Sequence, residues 1–292
     1  LELFGQRLGH PIILAPTAYH KLVHPDGELE SARGAAAANT TMVVSTFATV
    51  AIEELAEAAS GALWFQLYVH PDPQITRDLV QRAEAAGCRV LCLTVDTPIV
   101  GLREHERRVG FALPPELRLA NLEQAGSPSA HSAHLSANGI YTDILDPTLD
   151  WDAVARIRSW TGLPIVLKGV LSPADARIAE KSGIDGLIVS NHGARNLDTV
   201  PSAIEALPRV MEVLRGDTAV LLDGGVRRGT DVVKALAYGA RAVLIGRPYL
   251  WALAVDGARG VQRAVGMLRA ELEAVMVLCG RRSLAEIDRS VI

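Results

Sequence analysis

A chain of 292 residues that is 49% hydrophobic and 21% charged can bury one large core or two modest ones, which excludes disorder and fibres. Lys and Arg total 29 against 33 for Asp and Glu, a net charge of −4 with no block of like charge to follow a phosphate backbone, so a nucleic-acid partner is not expected. Aromatic residues make up only 4%, and the wealth of Ala, Val, Leu, Ile and Gly favours helices packed on buried aliphatic strands over a β-sandwich.

Apolar runs bounded by turn residues recur along the chain at 11–15, 42–45, 63–67, 90–95, 164–168, 186–190, 219–223 and 242–245. Each is short and continuous rather than alternating, as expected of a parallel strand covered on both faces. Helical patterns lie between them. Asp72-Pro73 opens one, with Ile75, Leu79, Ala83 and Ala86 on one face before Gly87. Ser172-Pro173 opens another that ends at Gly183, and 230–237 repeats the scheme before Gly239. The longest uncharged apolar stretch, 34–52, carries Asn39, Thr40, Thr41, Ser45, Thr46 and Thr49, and reads as a helix end, a strand and a loop rather than a membrane span. Cys88, Cys92 and Cys279 make no disulfide framework and have no partners at metal spacing; no metal site and a reducing cytoplasm are expected.

Eight strands alternating with helices predict a single (β/α)8 barrel over 1–292, with a doubly wound open sheet as the competing architecture. The surplus length falls in 103–150, a Pro-, Ser- and Gly-containing stretch after the fourth strand that reads as a long loop or lid over the barrel mouth.

Chemistry in such a barrel sits at the carboxyl ends of the strands. Here these ends are polar: Pro16-Thr17-Ala18-Tyr19, Ser45-Thr46-Phe47, Gln66-Leu67-Tyr68, Thr94-Val95-Asp96, Lys168-Gly169, Ser190-Asn191-His192-Gly193-Ala194-Arg195, Asp223-Gly224-Gly225 and Gly246-Arg247. Gly225, Arg227, Gly246 and Arg247 follow the seventh and eighth strands, where free amides and a cation suit a phosphate, although Asp-Gly-Gly is also an ordinary turn. Lys168 ends an apolar strand; its ammonium either stabilises negative charge on a heterocycle or forms a salt bridge closing the barrel. Ser45, Gln66, Thr94 and Ser190 offer uncharged donors and acceptors for a ring edge and a polyol. His192 shares the rim with Asp96, which can orient an imidazole, while Arg103 and Arg195 are placed to clamp a carboxylate and Tyr68 adds a hydroxyl. This set reads as proton abstraction beside a carboxylate.

The motifs Thr94-Val-Asp96-Thr-Pro, Ser190-Asn-His192-Gly-Ala-Arg195, Asp223-Gly-Gly-Val-Arg227-Arg-Gly-Thr-Asp and Ile245-Gly-Arg247-Pro together resemble the FMN-dependent 2-hydroxy acid oxidase and dehydrogenase family of glycolate oxidase, lactate oxidase and mandelate dehydrogenase type. The resemblance implies oxidation of an (S)-2-hydroxy acid to the 2-oxo acid, with hydride (or carbanion) transfer to the flavin. It makes His192 the base, supported by Asp96, with Arg103, Arg195 and Tyr68 on the substrate. FMN would be held by Thr17, Ala18, Ser45, Gln66, Thr94, Lys168, Ser190, Asp223, Gly225, Arg227, Gly246 and Arg247. Reoxidation would fall to oxygen, a quinone or a redox protein, and a homotetramer is the family's common assembly.

Two departures from that pattern stand out. The family's segment ahead of the first barrel strand, which contributes a tyrosine to the substrate pocket, is absent from this sequence, so an expectation of impaired turnover goes with it. Phe47 and Tyr19 stand where glycolate oxidases place Trp and Met, which argues against simple glycolate specificity. Two other readings accompany the oxidase: a flavin-binding barrel with little turnover, and another FMN or nucleotide-phosphate barrel. An enzyme resembling inosine monophosphate dehydrogenase would need a nucleophilic Cys in a mouth loop, where none of the three cysteines falls.

Overall fold

The computed structural model describes residues 1–127 and 142–292, apart from the side chain of residue 107. Strands β1 (Glu2–Leu3) and β2 (Gln6–Arg7) form an antiparallel hairpin. Strands β3 (Ile12–Leu14), β4 (Met42–Ser45), β5 (Leu63–Leu67), β6 (Leu91–Thr94), β7 (Ile165–Lys168), β8 (Gly186–Val189), β9 (Ala219–Asp223) and β10 (Ala242–Ile245) follow in sequence order around a closed parallel barrel, β10 pairing with β3. This is the expected (β/α)8 architecture, and closure excludes the open doubly wound sheet.

Every barrel strand is buried along its whole length, so no polar alternation shows in the sequence, yet the two faces separate cleanly. Outward side chains such as Leu14, Val44, Phe65, Leu91, Leu167 and Leu222 join the helices in one core. Inward side chains, among them Ile13, Val43, Trp64, Cys92, Val166, Ile188, Leu221 and Leu244, pack as a second core along the barrel axis. Two residues farther along each strand, the same inward face carries Ala15, Ser45, Gln66, Thr94, Lys168, Ser190, Asp223 and Gly246. The register Ser45 opposite Gln66 and Thr94 opposite Lys168 sets these residues side by side. The polar layer is therefore the end of the axial core and the floor of the mouth.

The opposite end is stoppered by the amino-terminal hairpin, whose two-residue strands are too short to leave a periodic signal. Leu3 and Leu8 join the axial core, and the Phe4 ring meets Trp64 edge-on with centroids 5.6 Å apart. Gly186 makes room for that ring: a Cβ there would lie 2.7 Å from Phe4 Cζ.

The surrounding helices begin where the sequence predicts. Asp72 accepts from the Gln74 amide and Ser172 from the Asp175 amide, each followed by Pro in the first turn. The helix Pro73–Ala85 buries Ile75, Leu79 and Ala83 on the predicted face. The carboxyl-terminal helix Arg247–Leu278 breaks at Asp256 and Gly257, where Gly257 takes φ 51° and Glu30 Oε2 accepts from the Ala258 amide at 2.8 Å, capping the second half. Within the excursion 103–150, residues 128–141 lie outside the described part; the remainder forms short helices Glu104–Arg108 and Ala120–Gln124. The helix Ala120–Gln124 is pinned to the barrel by buried Asn121, which donates to the Ser45 carbonyl at 3.2 Å and accepts from the Ile52 amide at 2.9 Å. Among the described residues no helix is long and apolar enough to cross a membrane.

Candidate active site

The mouth holds a cavity of about 1070 Å³, larger than most small-molecule sites and roomy enough for an organic cofactor together with a small substrate. Of the residues singled out from sequence, Thr17, Ala18, Ser45, Gln66, Tyr68, Thr94, Arg103, Lys168, His192, Arg195, Asp223, Gly225, Arg227, Gly246 and Arg247 line it. Asp96 and Ser190 stand behind the wall and act through neighbours.

The floor is a hydrogen-bonded chain of uncharged groups. Gln66 donates from Nε2 to Thr94 Oγ1 at 3.0 Å, and its Oε1 accepts from Ser45 Oγ and from the Thr46 amide, both at 3.2 Å. Beside it Lys168 is both things the sequence allowed: it faces the cavity and pairs with Asp223 Oδ2 at 3.2 Å. Burial works against its charge, but Asp223 and then Asp96 outweigh it and raise its pKa, so the ammonium is permanent. Fully buried Ser190 ties this pair to the base: its hydroxyl donates to Asp223 Oδ1 and accepts from Lys168 Nζ at 3.3 Å and from the His192 amide at 3.0 Å.

His192 sits in a left-handed turn, φ 56°, an uncommon conformation for a non-glycine residue that places the ring across the mouth. Its Nδ1 lies 2.9 Å from Asp96 Oδ1, which also accepts from Thr97 Oγ1 at 2.9 Å. Asn196 secures the backing by donating to the Asp96 carbonyl at 2.9 Å and to Thr97 Oγ1 at 2.8 Å. With Nδ1–H committed to a carboxylate, Nε2 is left as the lone-pair nitrogen, 3.5 Å from the Tyr68 hydroxyl. Burial, followed by the Lys168 charge, lowers the His192 pKa despite Asp96, so the ring is neutral at neutral pH and able to accept a proton. For Asp96, burial alone would raise the pKa; the His192 hydrogen bond and the Lys168 charge outweigh it and hold the carboxyl below its usual value. Burial keeps Tyr68 a protonated phenol.

Arg103 and Arg195 come from different loops and meet at the rim. Gly101 permits the approach, since a Cβ there would lie 2.4 Å from the Arg195 carbonyl oxygen. Both guanidinium groups reach the carboxylate of Glu106, which spacing alone did not single out. Thr97, Asn196 and Asn121 were likewise invisible as site residues, Asn196 and Asn121 because their partners are distant in sequence and Thr97 because its role is to hold the neighbouring Asp96 and meet Asn196. In the same cavity Tyr19 and Phe47 are parallel, with ring centroids 6.4 Å apart, and Phe47 continues to Tyr68 at 4.8 Å. Buried Glu28 couples the loops carrying these rings by accepting from the His20 amide at 3.1 Å and the Thr49 amide at 2.9 Å.

On the far side, Gly224 and Gly225 take φ 92° and 80°, and nothing stands within 4 Å of where a Cβ on Gly225 would be. Gly246 precedes the helix starting at Arg247, whose N-terminus has no side-chain cap, and Arg227 and Arg247 flank it. Free amides, a helix N-terminus and two cations form a dianion site. A buried cation, a floor of neutral donors and acceptors, and a phosphate cradle at one end match a phosphorylated heterocycle with a polyol between, and FMN fits these residues. Among the described residues no cluster of potential ligands could hold a metal ion.

Comparison with known proteins agrees with this geometry. The model of the FMN-dependent dehydrogenases matches residues 1–292. An L-lactate oxidase of Nostoc sp. is 47% identical, the match covering 99% of this chain and 81% of the relative. The 2-hydroxyacid oxidase 1 of Mus musculus is 45% identical over 100% of this chain and 80% of its own. A crystal structure of mandelate oxidase with (S)-2-phenylpropionate superposes with a TM-score of 0.88 at 40% identity, covering 99% of this chain and 80% of that one. The chain belongs to the FMN-dependent dehydrogenase family. It is a flavoprotein oxidoreductase of 2-hydroxy acids that acts on CH–OH donors with FMN as its cofactor.

Proposed function

We propose that the chain oxidises (S)-2-hydroxy acids bulkier than glycolate, with His192 as the base and Arg103 and Arg195 as the carboxylate anchors. The observation that carries this reading is the His192 ring, held by Asp96 at 2.9 Å on one side and open to the cavity on the other. When bound, FMN supplies the two-electron acceptor for the substrate's α-C–H. Thr17, Ala18, Ser45, Gln66, Thr94, Lys168, Asp223, Gly225, Arg227, Gly246 and Arg247 would hold it, and Ser190 fixes the Lys168–Asp223 pair from behind.

The two arginines hold the substrate carboxylate and so orient the neighbouring hydroxyl towards Nε2. Tyr68 donates a hydrogen bond to the same oxygen. Nε2 takes a proton from the substrate, from the hydroxyl on a hydride route or from the α-carbon on a carbanion route. Asp96 stabilises the imidazolium that results. Lys168 contributes a fixed positive charge on the cavity floor, which would favour negative charge on a bound flavin. The stacked Tyr19 and Phe47 present an aromatic wall to the substrate side chain, which suits an aliphatic or aromatic substituent rather than the hydrogen of glycolate.

The test is anaerobic addition of lactate, 2-hydroxyoctanoate, mandelate and glycolate to the yellow holoenzyme. Bleaching by the larger acids, with glycolate slowest, is the expected result; no bleaching by any of them refutes the reading. Reoxidation with oxygen and with a quinone then assigns the acceptor. The three unpaired cysteines fit a reducing compartment such as the cytoplasm, and the homotetramer common in the family is checked by sedimentation.

A further inference from the structure

The two arginines assigned above to the substrate carboxylate already hold a carboxylate. Arg195 Nη2 donates to Glu106 Oε1 at 2.6 Å and Arg103 Nη1 to Glu106 Oε2 at 3.4 Å, one oxygen to each guanidinium. Glu106 itself lines the cavity. It stands on the short helix Glu104–Arg108, within the excursion that carries Arg103.

We propose that Glu106 is an internal stand-in for the substrate carboxylate, holding Arg103 and Arg195 together in the empty site and yielding them when substrate arrives. The inference rests on the assignment of those arginines to the substrate.

Three observations carry it. A carboxylate bridging two guanidinium groups, an oxygen to each, is the arrangement a 2-hydroxy acid would adopt there, and a second anion brought to the same pair meets the charge of the first. Glu106 and Arg195 keep side-chain exposures of 33% and 41%, so the ion pair is wet and separable, unlike the buried Lys168–Asp223 pair. The Nε of Arg103 is buried without a hydrogen-bond partner among the described residues, a donor left over after Glu106 is satisfied. Glu106 thus acts through the arginines: it keeps two mutually repelling cations in register, and every carboxylate ligand must compete with it.

The sign of the effect separates this role from simple bracing. If Glu106 only braces the arginines, removing its charge loosens them and weakens carboxylate binding. If it competes, the same change strengthens binding. Pyruvate and phenylglyoxylate, titrated into oxidised holoenzyme and followed by flavin absorbance, are expected to bind three- to tenfold more tightly to Glu106→Gln. Glu106→Ala should shift affinity in the same direction, and flavin content reports folding of both. Unchanged or weaker binding in both variants overturns the proposal. Arg195→Met provides the separate arm. It should weaken both ligands at least tenfold, and if it does not, the arginine assignment fails and the proposal falls with it. Weakening in Arg195→Met without tightening in either Glu106 variant rejects the stand-in alone.

Discussion

Gly169 and Asp96 are in contact that no other residue type at 169 would allow. A Cβ on Gly169 would lie 2.5 Å from both Cβ and Cγ of Asp96, and Gly169 takes φ 105°. The residue after β7 is thus the surface against which the carboxylate behind His192 is seated. Gly169→Ala is expected to cost about 1 kcal/mol or more in stability from the backbone alone. The larger effect should be on turnover, because Asp96 must move and carry the His192 hydrogen bond with it. A tenfold or greater fall in kcat with flavin retained is the expected result, read by steady-state kinetics on holoenzyme; wild-type kcat would show that Asp96 has room to spare.

The depressed pKa of His192 fixes the direction of the pH profile. The neutral ring is the active form, so rate is lost as pH falls through its pKa, which burial and Lys168 hold below the ordinary 6.5. The acid limb of kcat/KM therefore lies below 6.5 and neutral pH is on the plateau. Asp96→Asn removes the carboxylate charge and weakens the hydrogen bond that raise the pKa most, leaving the Asp223 charge as the remaining raising influence, so the limb moves to still lower pH while the plateau drops by about 10²–10⁴ as the imidazolium loses its counter-charge. A limb that moves upward in Asp96→Asn contradicts the assigned pairing.

Removing the imidazole should separate binding from chemistry. His192→Ala leaves the floor and the phosphate cradle untouched, so FMN content should stay near one per chain. Flavin reduction by the best hydroxy acid should slow by about 10²–10⁴. Stopped-flow absorbance measures both, and reduction at the wild-type rate would assign the base elsewhere.

Lys168 and Asp223 have side-chain exposures of only 4% and 8%, so breaking the pair leaves a charge stranded in the core. Lys168→Met is expected to destabilise the apoprotein by about 3–5 kcal/mol. Adding Asp223→Leu should recover part of that loss, because an apolar pair of similar volume carries no uncompensated charge. Urea unfolding of the three proteins decides it, and additive losses would argue against coupling.

The barrel was legible because eight short, continuous apolar runs alternate with helical patterns, as strands covered on both faces require. The site was legible because seven of the eight strands end their inward row on a polar or glycine residue, so that Gln66, Thr94, Lys168, Ser190 and Asp223 occupy equivalent places on successive strands. What stayed hidden depends on contacts between loops. Glu106 reads as one charge among several in Glu104–Arg108, and only Gly101, by letting the two rim segments touch, brings it between the arginines. Asn196 and Thr97 matter through Asp96, which for Asn196 is 100 positions away. The β1–β2 hairpin escaped because two-residue strands have no period, and its importance lies in where Phe4 lodges.

That lodging has a kinetic meaning. With Phe4 against Trp64 and the axial core packed above them, the barrel axis is filled from below among the described residues, so a hydroxy acid reaches the polar floor from the mouth. Substrate entry and product exit then take turns at that mouth, and an excess of oxo acid should slow flavin reduction by hydroxy acid.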